Sequence, residues 1–356
     1  MKLPFLSQCV VLAVAPFTAF AHDDHASMDR IAELEAFFST AAILNGPEIV
    51  DCTLSQGTQT KCFSITVRPE PQDYTPGPWC PTNIEDDASK GGIWFADGKV
   101  MDVDGDFIAT LDELYNDGEW QLYDPETGEI RVTDTKEACE AAARPDVAEE
   151  FQNHCVQCLP EYMADDASMT YVIPLEPHLA TSDQDTRESG SGLAYNGVRL
   201  DGPAPVEAIL SAHTIAAFDD CGGHVNTHVG YHYHSVRDCL PGVETAHSHD
   251  HDAEDVTENA VKIGIAMDGH DIYSRFDAAG EVITGLDNCG GHAADGMPYH
   301  YHAGEAASNA IVGCFKAETG CASEDSGLIC DASDVRRGPP PEGIEAQDGV
   351  GAPPAE

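Results

Sequence analysis

Along the amino-terminal stretch, apolar Ile31, Leu34, Phe37 and Phe38 recur at helical spacing, which predicts a helix over residues 28–44. The period then shortens. Phe63-Ser64-Ile65-Thr66-Val67 alternates as a strand does when it buries one face. The proline-rich residues 69–81 read as loop, Gly91-Gly92-Ile93-Trp94 as a tight approach to a strand, and Leu111 as lying near the start of a short helix. Tyr171-Val172-Ile173 reads as a further strand, stopped by Pro174. The predicted fold class is mainly β, a β-rich α+β arrangement of antiparallel sheets. It comprises a helical segment at 22–45, a β-rich domain at 46–181 and a carboxy-terminal unit at 182–335 that opens in a polar Gly/Ser stretch. Residues 336–356 are rich in Pro, Gly and acids and are expected to be disordered.

Residues 1–21 form a secretory signal pattern: Lys2, an apolar run at 10–17, and the small-x-small site Ala19-Phe20-Ala21. That run is shorter than the ~20 apolar residues a span needs, so no membrane span is expected. Cleavage would remove Cys9 and leave an even set of cysteines in a periplasmic or secreted setting, where disulfides form. Cys52 with Cys62 could close a hairpin and Cys321 with Cys330 a small loop, while Cys80, Cys139, Cys155 and Cys158 would share two bridges. Cys155-Val156-Gln157-Cys158 has redox spacing, but two structural cysteines is the stronger reading in so cysteine-rich a chain. Cleavage would also leave His22 as an amino-terminal copper chelate or simply a frayed end.

The formal net charge is −46 over 356 residues. Such a chain has no basic footprint for nucleic acid and is repelled by anionic lipid, while it gathers cations. One acidic stretch has the spacing of a calcium loop, with Asp102, Asp104, Asp106 and Glu113 at its ligand positions. Phe107 stands where that loop wants glycine, so a solvated acidic turn is the stronger reading.

An internal repeat runs through the carboxy-terminal unit, one copy at about 192–240 and the other at about 264–316. Gly192-Leu193-Ala194-Tyr195-Asn196-Gly197 recurs as Gly264-Ile265-Ala266-Met267-Asp268-Gly269. Asp219-Asp220-Cys221-Gly222-Gly223-His224 recurs as Asp287-Asn288-Cys289-Gly290-Gly291-His292. Tyr231-His232-Tyr233-His234 recurs as Tyr299-His300-Tyr301-His302. Two copies suggest a pseudo-symmetric pair rather than a solenoid.

On a strand, residues two apart share a face. His232 and His234 therefore form a two-nitrogen claw with the tyrosines behind, and His300 and His302 do the same. The Gly-Gly before His224 and His292 lets the chain turn and return a third imidazole. Three histidines with an open position suit zinc, and tetragonal N,O surroundings suit copper. A divalent transition metal, zinc or copper, is thus the expected cofactor and partner. Asp219, Asp287 and Asp268 are candidate acceptors around the ligand imidazoles. Cys221 with Cys239, and Cys289 with Cys314, are expected to staple each claw. The tract at 247–252, His-Ser-His-Asp-His-Asp, is either a metal-gathering loop or an acidic insert.

With these residues the chain resembles the YHYH-domain family of secreted bacterial proteins. The resemblance rests on G-x-A-x-[ND]-G, D-x-C-G-G-H and Y-H-Y-H, each present twice, and on Val312-Gly313-Cys314-Phe315. It implies a secreted or periplasmic location and supplies no activity. Asn196 stands where the second copy has Asp268, so the copies need not bind alike, and the 247–252 tract lies outside the family pattern. The functional expectation is metal binding through the two histidine sets. The rivals are a metal-dependent extracellular hydrolase or oxidoreductase and a metal-free structural or surface interaction protein.

Overall fold

The computed structural model describes residues 21–144, 146–186, 190–237, 239–240, 260–294, 296–324 and 330–333. Residues 1–20, the 247–252 tract and the 336–356 tail lie outside the described residues, as do the side chains of residues 21–27, the expected His22 chelate among them. The first helix spans Ala21–Phe37 and buries Leu34, with Phe38 buried just beyond it. It stops short of residue 44 because the following residues join a sheet: the strand Ile43–Thr53 starts with Ile43 paired to Val67. Strands Ile43–Thr53, Gln59–Val67, Met169–Pro174 and Cys321–Ser323 form an antiparallel four-stranded sheet in that order. The alternating segment buries Phe63 and Ile65 there, as its pattern predicts, and the Tyr171-Val172-Ile173 strand is buried on both faces.

A hairpin of Ile93–Ala96 with Lys99–Asp102 lies against the carboxy-terminal unit. Ile93 bridges Phe218, and the Trp94 and Phe95 rings stack on the Phe218 ring. Gly92 is required at this approach, since a Cβ would sit 2.0 Å from the Phe218 carbonyl oxygen. The continuous apolar core runs from Leu34 through Trp94, Tyr171 and Ile265 to Phe315.

An eight-stranded sheet carries the repeat. Its order is Gly291–His292, His300–His302, Asp271–Tyr273, Lys262–Ala266, Gly192–Ala194, Arg199–Leu200, Gly230–Tyr233, Gly223–Asn226. Each half is built alike, with an antiparallel hairpin, then a parallel pair, then a second antiparallel hairpin. The halves meet where Gly192–Ala194 runs antiparallel to Lys262–Ala266, with Gly264 opposite Ala194, Ile265 opposite Leu193, and Ala266 opposite Gly192. This register maps onto itself when the copies are exchanged, about a local twofold at the Leu193–Ile265 pair. The histidine hairpins therefore occupy opposite edges of the sheet.

Six disulfides hold the loops: Cys52–Cys62, Cys80–Cys155, Cys139–Cys158, Cys221–Cys239, Cys289–Cys314 and Cys321–Cys330. All four expected pairs are among them. Cys155 and Cys158 bond to different partners, in keeping with the structural reading of their motif. No described helix is long and apolar enough to cross a membrane.

The acidic stretch at 102–113 folds as a strand end followed by two short helices. Asp102 ends a strand, while Asp104 caps the helix Gly105–Ala109 by accepting from the Phe107 amide at 2.8 Å. Phe107 is buried, and Glu113 lies on the next helix, Leu111–Leu114. Among the described residues, Asp102, Asp104, Asp106 and Glu113 do not converge as ligands. The hydrophobic demand of Phe107 and the capping demand of the helix decide the local structure.

Candidate metal centres

Each centre is a hairpin. In the first, Gly223–Asn226 and Gly230–Tyr233 pair so that His224 lies opposite His232. In the second, His292 lies opposite His300. Gly222 and Gly290 take φ of 82° and 83°, the left-handed conformation that glycine adopts most easily. The next glycine answers to space. A Cβ on Gly223 would lie 2.4 Å from the Tyr231 ring and hydroxyl, and one on Gly291 would lie 2.3 Å from the Tyr299 hydroxyl. Both glycines of the motif are thus needed, for different reasons, to fold the third histidine back over the strand.

The imidazoles of each copy converge on the strand face opposite the tyrosines. Ring centroids of His224, His232 and His234 lie 4.7, 4.9 and 5.0 Å apart, and those of His292, His300 and His302 are all 5.0 Å apart. Within each triad, one nitrogen from each ring falls inside a 4.8 Å cluster. Nε2 of His302 and Nε2 of His292 are 3.2 Å apart. Two ligands on one tetrahedral ion with ~2.05 Å bonds would stand about 3.3 Å apart.

The remaining ring nitrogens fix the tautomer. His232 Nδ1 meets the Gly230 carbonyl at 2.9 Å and His234 Nδ1 meets the Gly202 carbonyl at 2.7 Å. In the other copy, His300 Nδ1 meets Pro298 at 2.8 Å and His302 Nδ1 meets Ser274 at 2.9 Å. A carbonyl can only accept, so each Nδ1 carries the proton and each Nε2 presents a lone pair to its triad. His300 Nε2 is buried without a hydrogen-bond partner among the described residues.

Burial governs the electrostatics. His224 is driven well below the ordinary histidine range, first by burial and then by His232 and His234. Burial and His232 likewise take His234 down to about 3. His232 and His302 are lowered too, each chiefly by burial. These rings are held neutral, as metal ligation requires.

The predicted acidic acceptors serve the opposite face. Asp219 accepts from the Tyr231 hydroxyl at 2.9 Å and from the amides of Gly77, Cys221 and Gly223. Asp287 accepts from the Tyr299 hydroxyl at 3.0 Å and from the amides of Cys289 and Gly291. The second tyrosine of each motif binds the Asn/Asp position of the Gly-x-Ala-x-[Asn/Asp]-Gly motif in its own copy: Asn196 Nδ2 donates to the Tyr233 hydroxyl at 3.1 Å, and the Tyr301 hydroxyl donates to Asp268 at 2.7 Å. Asp268 also meets His270 Nδ1 at 3.1 Å. These carboxylates brace the sheet behind the imidazoles instead of holding the triad N–H groups, which go to main-chain carbonyls. The side-chain alternation of the strand, which sends Tyr and His to opposite faces, is the cause.

Sequence reasoning missed Asp201, whose Oδ2 lies 3.9 Å from His232 Nε2 and which Arg199 holds at 2.9 Å. Burial alone would raise its pKa, but Arg199, His232 and His234 together hold it low. In strand register Arg199 faces His232, while Tyr273 faces His302, so extending the repeat alignment places Tyr273 where the first copy has Asp201. Phe218 was also missed. Its ring lies 4.9 Å from His224 and 5.3 Å from His234, an apolar wall behind the first centre.

No curated protein and no solved structure matches the chain. Residues 170–282, which hold the whole first copy and the start of the second, match the family model described as YHYH protein.

Proposed function

We propose that this chain is an extracytoplasmic protein that binds a divalent transition metal, zinc or copper, through His224, His232 and His234 and through His292, His300 and His302. The disulfide framework supports the compartment, since such bonds persist in oxidising surroundings. The observation that carries the metal reading is the shared tautomer arrangement. In both copies the strand histidines spend Nδ1 on main-chain carbonyls and turn Nε2 toward a common point. Each triad thus turns two strand-histidine lone pairs and the ring of a third histidine toward one point, where a single cation would be shared by all three.

Metal analysis of untagged protein from its native compartment tests this reading. Two equivalents of zinc or copper are expected, falling to about one in His232→Ala or His300→Ala and to none in the double variant. Less than about a tenth of an equivalent in the parent, with melting unmoved by chelator, would refute it, because a bound ion must stabilise the folded state.

A further inference from the structure

The two triads match in ring spacing and tethers but differ in what surrounds them. The first opens onto a cleft of about 300 Å³ that all three of its histidines line. Of the second triad, only His300 reaches the neighbouring cleft of about 370 Å³. Two features make the difference: residues 142–144 and 156–158 wall the first cleft from one side, and a helix walls it from another. Between Arg199–Leu200 and the Cys-Gly-Gly turn, the first copy inserts the helix Val206–Ser211, whose Ala208 and Ile209 wall the cleft. The second copy has a bridge between Phe276 and Val282 in the corresponding interval.

The cleft is at the small end of the ligand-site range. Pro203, Ala204, Pro205, Ala208, Ile209 and Val225 give it apolar sides. Its polar lining is largely engaged elsewhere: Gln157 Oε1 accepts from the Cys80 amide, Asn226 Oδ1 from the His228 amide, and Thr214 donates to the Ile209 carbonyl. Asp201 is neutralised by Arg199, so three neutral imidazoles and a divalent ion would leave a net positive charge facing the cleft.

We infer that the first centre is a ligand-receiving site whose occupant is a small monocarboxylate with an apolar body, the carboxylate on the metal and the body between the Val206–Ser211 helix and Val225. This rests on the metal reading above. Among the described residues only His300 of the second triad lines the neighbouring cleft, and the second centre does not share the role.

Visible absorption of the cobalt-loaded full chain tests this, with benzoate and acetate as probes. Benzoate is expected to perturb the cobalt bands and to bind at least tenfold tighter than acetate, since the metal contact is common to both and the apolar body is not. Ala208→Trp, and separately the exposed Ala143→Trp at the cleft wall, should keep both cobalt ions and lose the benzoate preference. His300→Ala should keep it. Cobalt binding with benzoate no tighter than acetate would overturn the inference alone. So would a benzoate preference over acetate that survives both tryptophan variants or disappears in His300→Ala. Failure to take up cobalt would overturn the metal reading and this inference with it.

Discussion

At the residue scale, the tightest constraint is glycine at the hairpin turn. Gly223→Ala should cost about 1–3 kcal/mol, because its Cβ would displace the Tyr231 ring 2.4 Å away. Gly222→Ala, strained at a φ of 82° and with its Cβ 2.8 Å from the Ser235 carbonyl oxygen, should also cost about 1–3 kcal/mol. Urea denaturation of both variants checks these losses. The glycine pair was legible in the sequence as a turn, whereas the second glycine's role was not, because only packing reveals a ring across the strand. His234 provides a pH test. The unfolded imidazole titrates near 6.5, while burial and His232 hold the folded one down to about 3. Between those values the unfolded chain takes up the proton, so the contribution is complete above pH 6.5 and is lost as pH falls toward about 3. Metal-free protein should lose about 2 kcal/mol from this one ring between pH 7.5 and 5. His234→Gln should show a correspondingly shallower decline by denaturant titration in chelator.

At the element scale, the Tyr-His-Tyr-His strand works as a two-sided part. One face presents imidazoles and the other binds a carboxylate or amide from each of the two remaining motifs. This explains why the three motifs recur together: each supplies one side of the same bracket. Asp219 and Asp287 show how depth changes one bracket into another. Burial raises Asp219 despite its amide and tyrosine donors. At Asp287 burial also raises the pKa, but the Gly291 and Cys289 amides, Tyr299 and Lys316 outweigh it and the net shift is downward. Asp219→Ala should therefore cost about 3 kcal/mol or more, since it strands the buried Tyr231 hydroxyl and three amides. Tyr231→Phe, which leaves the amides paired, should cost about 1.5–3 kcal/mol. Thermal melts of the two variants should fall in that order. The histidine claws were legible from i, i+2 spacing alone. The bracing acids were not, because a motif shows that an acid is near a histidine without showing which face of the strand it serves.

At the scale of the whole molecule, the disulfides tie loop segments to the sheets that carry the centres. Cys80–Cys155 closes a loop of 75 residues, which in the chain-entropy account restrains the unfolded state by about 4–5 kcal/mol. Replacing that pair by alanine should lower stability by a comparable amount, and differential scanning calorimetry would measure it. Cys139–Cys158 has a more local duty, because Ala142 and Cys158 both line the first cleft. Its removal should weaken a cleft ligand more than it weakens metal retention at the second centre, which equilibrium dialysis can follow. Cysteine pairing was readable because the repeat placed each partner and short separations placed two more. The pairing of Cys80 with Cys155 was not readable, since it joins segments that only the folded chain brings together.

The self-matching register at Leu193 and Ile265 has a consequence for how such a chain could arise. A polypeptide with a single copy would end its half-sheet in an open edge strand, with unpaired amides and carbonyls in a row. The same register would let that edge bind its own twin, because an isologous contact needs only one surface. Joining the copies in one chain replaces a concentration-dependent encounter with an intramolecular one. It also frees the halves from having to remain identical. Asp201 beside one triad and Tyr273 beside the other are the kind of divergence that a symmetric dimer of one gene product could not hold.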